Sequence, residues 1–178
     1  MVRDADELED LRRLYAAKAQ AEQQAADALV PGIRVLASGE ATARVLLVKG
    51  DPGEADLAAG EALAGPDGDA ALAALAALGV GTASVLALVT RPAPGTSADA
   101  AVERLARYLE SADPAVAVAL DGVAAGDLAA AAGLAGLPFG SSVLAHGRVL
   151  LAVDGLEASL ADEARKKRVW AQFRGLTK

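Results

Sequence analysis

The carboxylate best placed to do chemistry in this chain is Asp51. It stands in Gly50-Asp51-Pro52-Gly53, directly after the apolar run Val45–Val48 and Lys49. In this pattern a buried strand delivers a tight loop to the rim of a parallel sheet, where open α/β folds bind ligands. Pro52 fixes its own φ, Gly53 admits backbone conformations closed to other residues, and Asp51 can orient a water or a polar substrate. Asp-Pro-Gly is also common turn chemistry, and on local signal alone the motif reads as a turn. It is not a phosphate-binding P-loop, because no Gly-Lys-Ser/Thr follows at the required spacing. A second glycine-punctuated loop, Gly60-Glu-Ala-Leu-Ala-Gly65-Pro-Asp-Gly68, comes next and leads into an alanine-rich segment.

Other chemically capable residues read more plainly. His146 is the only histidine and sits in Ala145-His146-Gly147-Arg148 between two extended runs. A metal site needs more ligands and a catalytic dyad needs a placed partner, so it reads as a solvated turn histidine. Arg165-Lys-Lys-Arg168 lies in the last helical segment and could contact phosphate. The same segment carries Val169, Trp170, Phe173 and Leu176 as a core-facing stripe, so the charges read as its solvated face, with Arg174 and Lys178 beyond. Asp154-Gly155 follows the last apolar run and belongs to the same rim as Asp51, either as a turn or as a second active-site loop.

These residues must be positioned by a regular alternation of elements. Residues 4–29 read as a helix, with Asp4 and Glu7 resembling a capping box, an apolar stripe of Leu8, Leu11, Leu14 and Tyr15, and a stop at Pro31-Gly32. Ile33–Ala37 is extended and Ser38-Gly39-Glu40 turns the chain. Four apolar runs, Val45–Val48, Ser84–Val89, Ala115–Leu120 and Val149–Val153, read as buried strands. Helical segments fall at about 69–79, 97–112, 123–133 and 159–175. Strand–helix alternation predicts a parallel sheet covered on both faces. The 178 residues suit one domain spanning 1–178, with no linker. Whether the first helix packs within that domain or mediates dimerisation is left open.

Composition narrows the function. Hydrophobic residues make up 53% of the chain but aromatics only 3%, so the core must be built from Leu, Val and Ala, and a base-stacking platform is hard to assemble. The net charge of −7 and pI near 4.7 argue against tight nonspecific nucleic-acid binding, although a local basic patch can outweigh the average. With no cysteine, the chain can form no disulfide, zinc–thiolate site or iron–sulfur cluster, and it has no thiol nucleophile. No apolar run reaches membrane-spanning length and the charged N-terminus is unlike a signal peptide, so a cytoplasmic protein without membrane contact is expected.

In their order along the chain, these motifs resemble the uracil-DNA glycosylase superfamily, most closely its iron–sulfur branch. There a helix leads to a VVFGEG-like segment, then a strand ending in Gly-Glu-Ala-Pro-Gly, then Gly-x-Pro-Phe-Val-Gly. The matching segments are Ile33–Glu40, Val48-Lys-Gly-Asp-Pro-Gly53 and Gly60-Glu-Ala-Leu-Ala-Gly65. The family's Cys-Arg-Pro is similar to Thr90-Arg91-Pro92, its ALG-x-x-A to Ala119-Leu-Asp-Gly122-Val-Ala-Ala125, and its Lys-Arg-x-x-Trp to Lys167-Arg168-Val-Trp170. The likeness covers nearly the whole chain. It implies a three-layer α/β/α sandwich around a central, mainly parallel four-stranded sheet, and a pocket drawing on Gly50, Pro52, Gly53, Leu63, Gly65 and Asp154.

The departures from the family pattern carry the functional expectation. The family's base-stacking Phe is matched by Leu63, and the His that stabilises the departing uracil by Asp154, a carboxylate that would repel that charge. Losing one such donor commonly costs roughly 10²–10³ in rate. The polar contact to the base edge falls near Val85–Ala87, which is apolar, and Thr90 stands at one position expected for a cluster cysteine. Only Asp51 matches the catalytic Asp of the classical enzymes. The resemblance thus implies a degenerate glycosylase-like protein, serving as a binding or interaction module with DNA or a DNA-repair protein as partner, with no cofactor. The alternatives are an active glycosylase of altered base specificity using Asp51, and an unrelated small-molecule α/β binder or enzyme.

Overall fold

The structure, a computed structural model, describes the backbone of residues 2–177 and the side chains of residues 6–177. The Asp4 side chain of the expected capping box, and Lys178, lie outside the described residues. Seven α-helices and six strands alternate in these residues: α1 (Val2–Asp27), β1 (Ser38–Gly39), β2 (Val45–Lys49), α2 (Glu54–Ala59), α3 (Pro66–Ala77), β3 (Val85–Val89), α4 (Ala98–Ala112), β4 (Val116–Ala119), α5 (Gly122–Ala131), β5 (Val143–Ala145), β6 (Arg148–Ala152), α6 (Leu156–Ser159) and α7 (Glu163–Phe173). A 3₁₀ turn, Arg174–Thr177, follows.

The strands form one mixed sheet in the order β1-β3-β2-β4-β6-β5. The four apolar runs are its middle, β3-β2-β4-β6, and pair in parallel, with Leu46 beside Leu86 and Ala117, and Ala117 beside Leu150. The expectation of a four-stranded sheet is corrected at both edges, where β1 and β5 add antiparallel pairing to β3 and β6. The added strands are two and three residues long, too short for an apolar period to register. β1 is formed by residues expected to turn. β5 is the first arm of a hairpin whose corner residues, His146 and Gly147, both have positive φ (51° and 76°), the backbone that two-residue hairpins require.

Both faces of the four middle strands are covered, which is why those strands read as unbroken apolar runs. Leu46, Val48, Leu86, Leu88, Ala117, Ala119 and Leu150 pack with Ala26 of α1, Leu105, Tyr108 and Leu109 of α4, and Leu128 of α5. The alternate residues Val45, Leu47, Val118 and Leu151 pack with Leu75 of α3 and with Val169 and Phe173 of α7. Alanines at the helix contacts (Ala71, Ala101, Ala124) are fully buried, so helix and sheet backbones approach closely without large aromatics.

Three helical expectations change. α2 was not expected; it is a six-residue helix closed by Gly60 at φ 73°. The expected helix at 159–175 is broken into α6, α7 and the 3₁₀ turn, because Asp162 accepts hydrogen bonds from the Ala164 and Arg165 amides and so begins a new helix. Trp170 does not join the core stripe: it is 41% exposed while Val169 and Phe173 are buried. No helix among the described residues is long and apolar enough to cross a membrane.

Candidate functional site

At the C-terminal end of β2 the apolar run stops at Lys49, which shares a sheet face with Val45 and Leu47 by strand alternation. Its side chain is only 5% exposed. Nζ donates to Asp56 Oδ2 (2.8 Å) and Asp67 Oδ2 (2.7 Å) and pairs with Glu157 Oε2 (2.8 Å). Burial alone would lower the lysine pKa, but the three carboxylates outweigh it and hold the ammonium well above its ordinary range.

Each of these acids occupies the first turn of a helix, Asp56 in α2, Asp67 in α3 and Glu157 in α6. Helix N-termini gather at this rim of a parallel sheet and present unpaired amides that attract anions. Here the three carboxylates of those first turns meet on Lys49, and of the three only Asp56 also accepts from an amide at its helix start. Asp56, fully buried, accepts from the amides of Gly53 (2.8 Å) and Ala64 (3.1 Å) as well as from Lys49. Its three partners lock the first loop, the second loop and β2 to one another.

The Gly50–Gly53 loop is held from its other side by Asp121, the N-cap of α5. One Asp121 oxygen accepts from Gly50 N and the other from Ala124 N, both at 2.8 Å. Gly53 corrects the reading made from its sequence. Its φ of −80° and ψ of 175° are ordinary extended values. What the glycine supplies is space: a Cβ there would stand 2.8 Å from Lys49 Nζ and 2.5 Å from Glu157 Oε1, so the ends of those side chains would have to shift.

Asp51 is exposed and lines two adjoining clefts. The larger, about 480 Å³, is walled by Lys49, Asp51, Asp67, Leu120, Asp121, Val123, Gly155, Leu156 and Glu157. Lys49 is the only cation in this wall, against four carboxylates, and its donors are already engaged. The smaller, about 300 Å³, holds Asp51 and Pro52 beside Arg34, Leu57 and Arg91. Arg91 is oriented by the nearly buried Asp127, 3.3 Å away, which also accepts from Thr90 Oγ1 at 2.6 Å. Thr90, at the position expected for a cluster cysteine, is thus a buried hydrogen-bonding residue.

The predicted site residues divide between clefts. Asp51 shares the 480 Å³ cleft with Gly155 and Leu156, so the two loops do meet at one rim. The expectation that Asp154 shares a pocket with Asp51 is corrected: Asp154 lines neither of the clefts that hold Asp51, and it is exposed, its amide donating to Gln172 of α7. Leu63, at a positive φ of 55°, lines a separate cleft of about 340 Å³ with Val85 and Ala87. The first turn of α3 stands between the two, with Asp67 facing one cleft and Gly68 the other. Gly65 is the N-cap of α3 and Gly50 is buried against Asp121 and Val123.

The residues that organise this rim, Lys49, Asp56, Asp67, Asp121 and Glu157, were not singled out from sequence. The available signal was a lysine ending a strand buried on both faces, a position that demands an ionic partner. Among the described residues no group of His, Asp or Glu is arranged to hold a metal ion. His146 is an exposed turn residue whose Nε2 lies 3.1 Å from the Ala132 carbonyl. No known protein family model matches this chain, and no curated protein matches it in sequence.

Proposed function

We propose that this chain is a degenerate uracil-DNA glycosylase-like protein that does not excise uracil and serves as a binding or interaction module, with DNA or a DNA-repair protein as its partner. The reading rests on the order of its motifs and is supported by the parallel β3-β2-β4-β6 core with helices on both faces, as a three-layer α/β/α sandwich requires. The observation that carries the loss of activity is the Lys49 cluster. Release of a base as an anion needs donors aimed at the developing charge. At this rim the one buried cation is saturated by three carboxylates of the chain itself, and the 480 Å³ cleft beside Asp51 is lined by further negative charge; the cations of the adjoining 300 Å³ cleft, Arg34 and Arg91, lie outside it, with Arg91 paired to Asp127.

The test is a base-release assay on uracil, hypoxanthine and xanthine in single- and double-stranded DNA, run beside a salt-dependent DNA-binding titration. No release from any substrate is expected. Binding without release would point to a DNA partner. Neither binding nor release would point to a protein partner.

A second reading, an active glycosylase of altered specificity, draws on one observation: Asp51 is exposed at the mouth of two clefts, where it could serve a water or a sugar cation. Release of any of the three bases, abolished by Asp51→Ala, would establish that reading and overturn the first. Release undiminished in Asp51→Ala would sink both. Saturable binding of a small polar molecule in the 480 Å³ cleft, with no response to DNA, would favour an unrelated small-molecule protein, since that volume suits such ligands.

A further inference from the structure

The apolar face of α1 does not end where the domain ends. Leu8, Leu11, Tyr15, Ala19, Gln23 and Ala26 recur at intervals of three and four, so they lie along one side of the helix. The second half of that stripe is covered: Ala19, Gln23 and Ala26 are buried, Gln23 donates to Ala41 O and Ser111 Oγ, and Asp27 receives Arg104 and Tyr108 of α4. The first half is bare. Every residue from Asp6 to Tyr15 is exposed, including Leu8 (55%), Leu11 (48%), Leu14 (66%) and Tyr15 (64%).

The overhang continues a helix already anchored by its second half, so it needs no nucleus of its own, but its solvent-facing apolar stripe adds nothing to hold it. We propose that the overhang pairs antiparallel with the overhang of a second copy of this chain, forming a twofold-symmetric dimer.

Charge and shape select this occupant and this orientation. Along the overhang, Asp6, Glu7, Glu9 and Asp10 precede Arg12, Arg13 and Lys18. Set antiparallel about Leu11, the acidic turn of one copy faces the basic turn of the other, with Leu8 of each near Leu14 and Tyr15 of its partner. The Arg13 contacts to Glu9 and Asp10 within the helix are exposed and exchange readily for equivalents across the pair. A parallel pair fails on shape. From Ala19 onward the stripe is already occupied by the chain's own α4, so two parallel copies would bring both domain bodies to the same end of the pair. Antiparallel pairing places them at opposite ends and gives an isologous contact.

Sedimentation velocity across a concentration series tests the dimer. The wild type is expected at twice the 17.8 kDa chain mass. Leu11→Glu, which alters only an exposed position, should keep the circular dichroism of the folded domain and weaken association by roughly thirtyfold or more. A monomeric wild type, or a dimer indifferent to Leu11→Glu, overturns the proposal. Because the chain has no cysteine, orientation can be read by cross-linking. Under mild oxidation, a mixture of Leu8→Cys and Leu14→Cys chains should yield the mixed disulfide. Equal or faster linking of Leu8→Cys to itself would mean a parallel pair and overturn the antiparallel arrangement.

Discussion

At the residue scale the chemistry of this protein turns on Lys49 and the carboxylates around it. Removing a partner from a buried ion cluster leaves uncompensated charge, which commonly costs about 3–5 kcal/mol. Asp56→Ala, which also strips the Gly53 and Ala64 amides of their acceptor, should therefore lower unfolding free energy by about that amount in urea titrations. Glu157→Ala should cost about 1 kcal/mol or less, since that side chain is 54% exposed and screened by water. The pH dependence has a definite sign. The Lys49 pKa is raised on folding, so its contribution is complete below the ordinary lysine value of 10.5 and is lost as pH rises above it. Tyr108, raised chiefly by burial and further by Asp27 against the lowering effect of Arg104, acts in the same direction. Stability should thus fall on the alkaline side, and Lys49→Met, though less stable at neutral pH, should show a shallower alkaline decline in urea titrations. Asp51 was legible because Asp-Pro-Gly is a local pattern. The Lys49 cluster was not, because Asp56 looks from sequence like a loop acid, and Asp67 and Glu157 like ordinary acids near helix starts.

At the element scale, single side chains join pieces of structure distant in the chain. Asp121 caps α5 and holds the first loop through Gly50 N, so Asp121→Ala should cost about 1–2 kcal/mol and loosen that loop. Hydrogen exchange is expected to speed at Gly50 and at Ala124 together; exchange raised at Ala124 alone would show that the loop is held by other contacts. Asp27 joins α1 to α4 by accepting from Arg104 Nε (2.8 Å) and Tyr108 Oη (2.9 Å). Arg104 is fully buried, its Nη1 donating to Val89 O and its Cζ standing 5.0 Å from the Tyr108 ring centre. Asp27→Ala should therefore cost about 3–5 kcal/mol, with Asp27→Asn recovering part of it by keeping an acceptor oxygen. The sequence located the middle strands and the longer helices to within a few residues, because glycine, proline and capping residues act locally. It missed α2, which is too short to show a helical period, and it ran α6 and α7 together, because their break depends on Asp162 turning back to the Ala164 and Arg165 amides.

At the scale of the whole molecule, the two apolar layers share one sheet, so neither set of helices has a core of its own. Far-ultraviolet circular dichroism and the fluorescence of Trp170, the only tryptophan, should report coincident unfolding transitions. An earlier fluorescence transition would mean that α7 melts before the sheet. By itself the sequence determined the α/β class, the four buried strands and the glycine-rich loop bearing Asp51, since burial on both faces and turn chemistry are written in neighbouring residues. The tertiary structure alone decided that the sheet has antiparallel edges, that Leu63 and Asp51 face different clefts, and that three helix starts converge on one lysine. Those outcomes depend on strand order and helix packing, which bring residues far apart in the chain within hydrogen-bond reach and leave no periodic trace in the sequence.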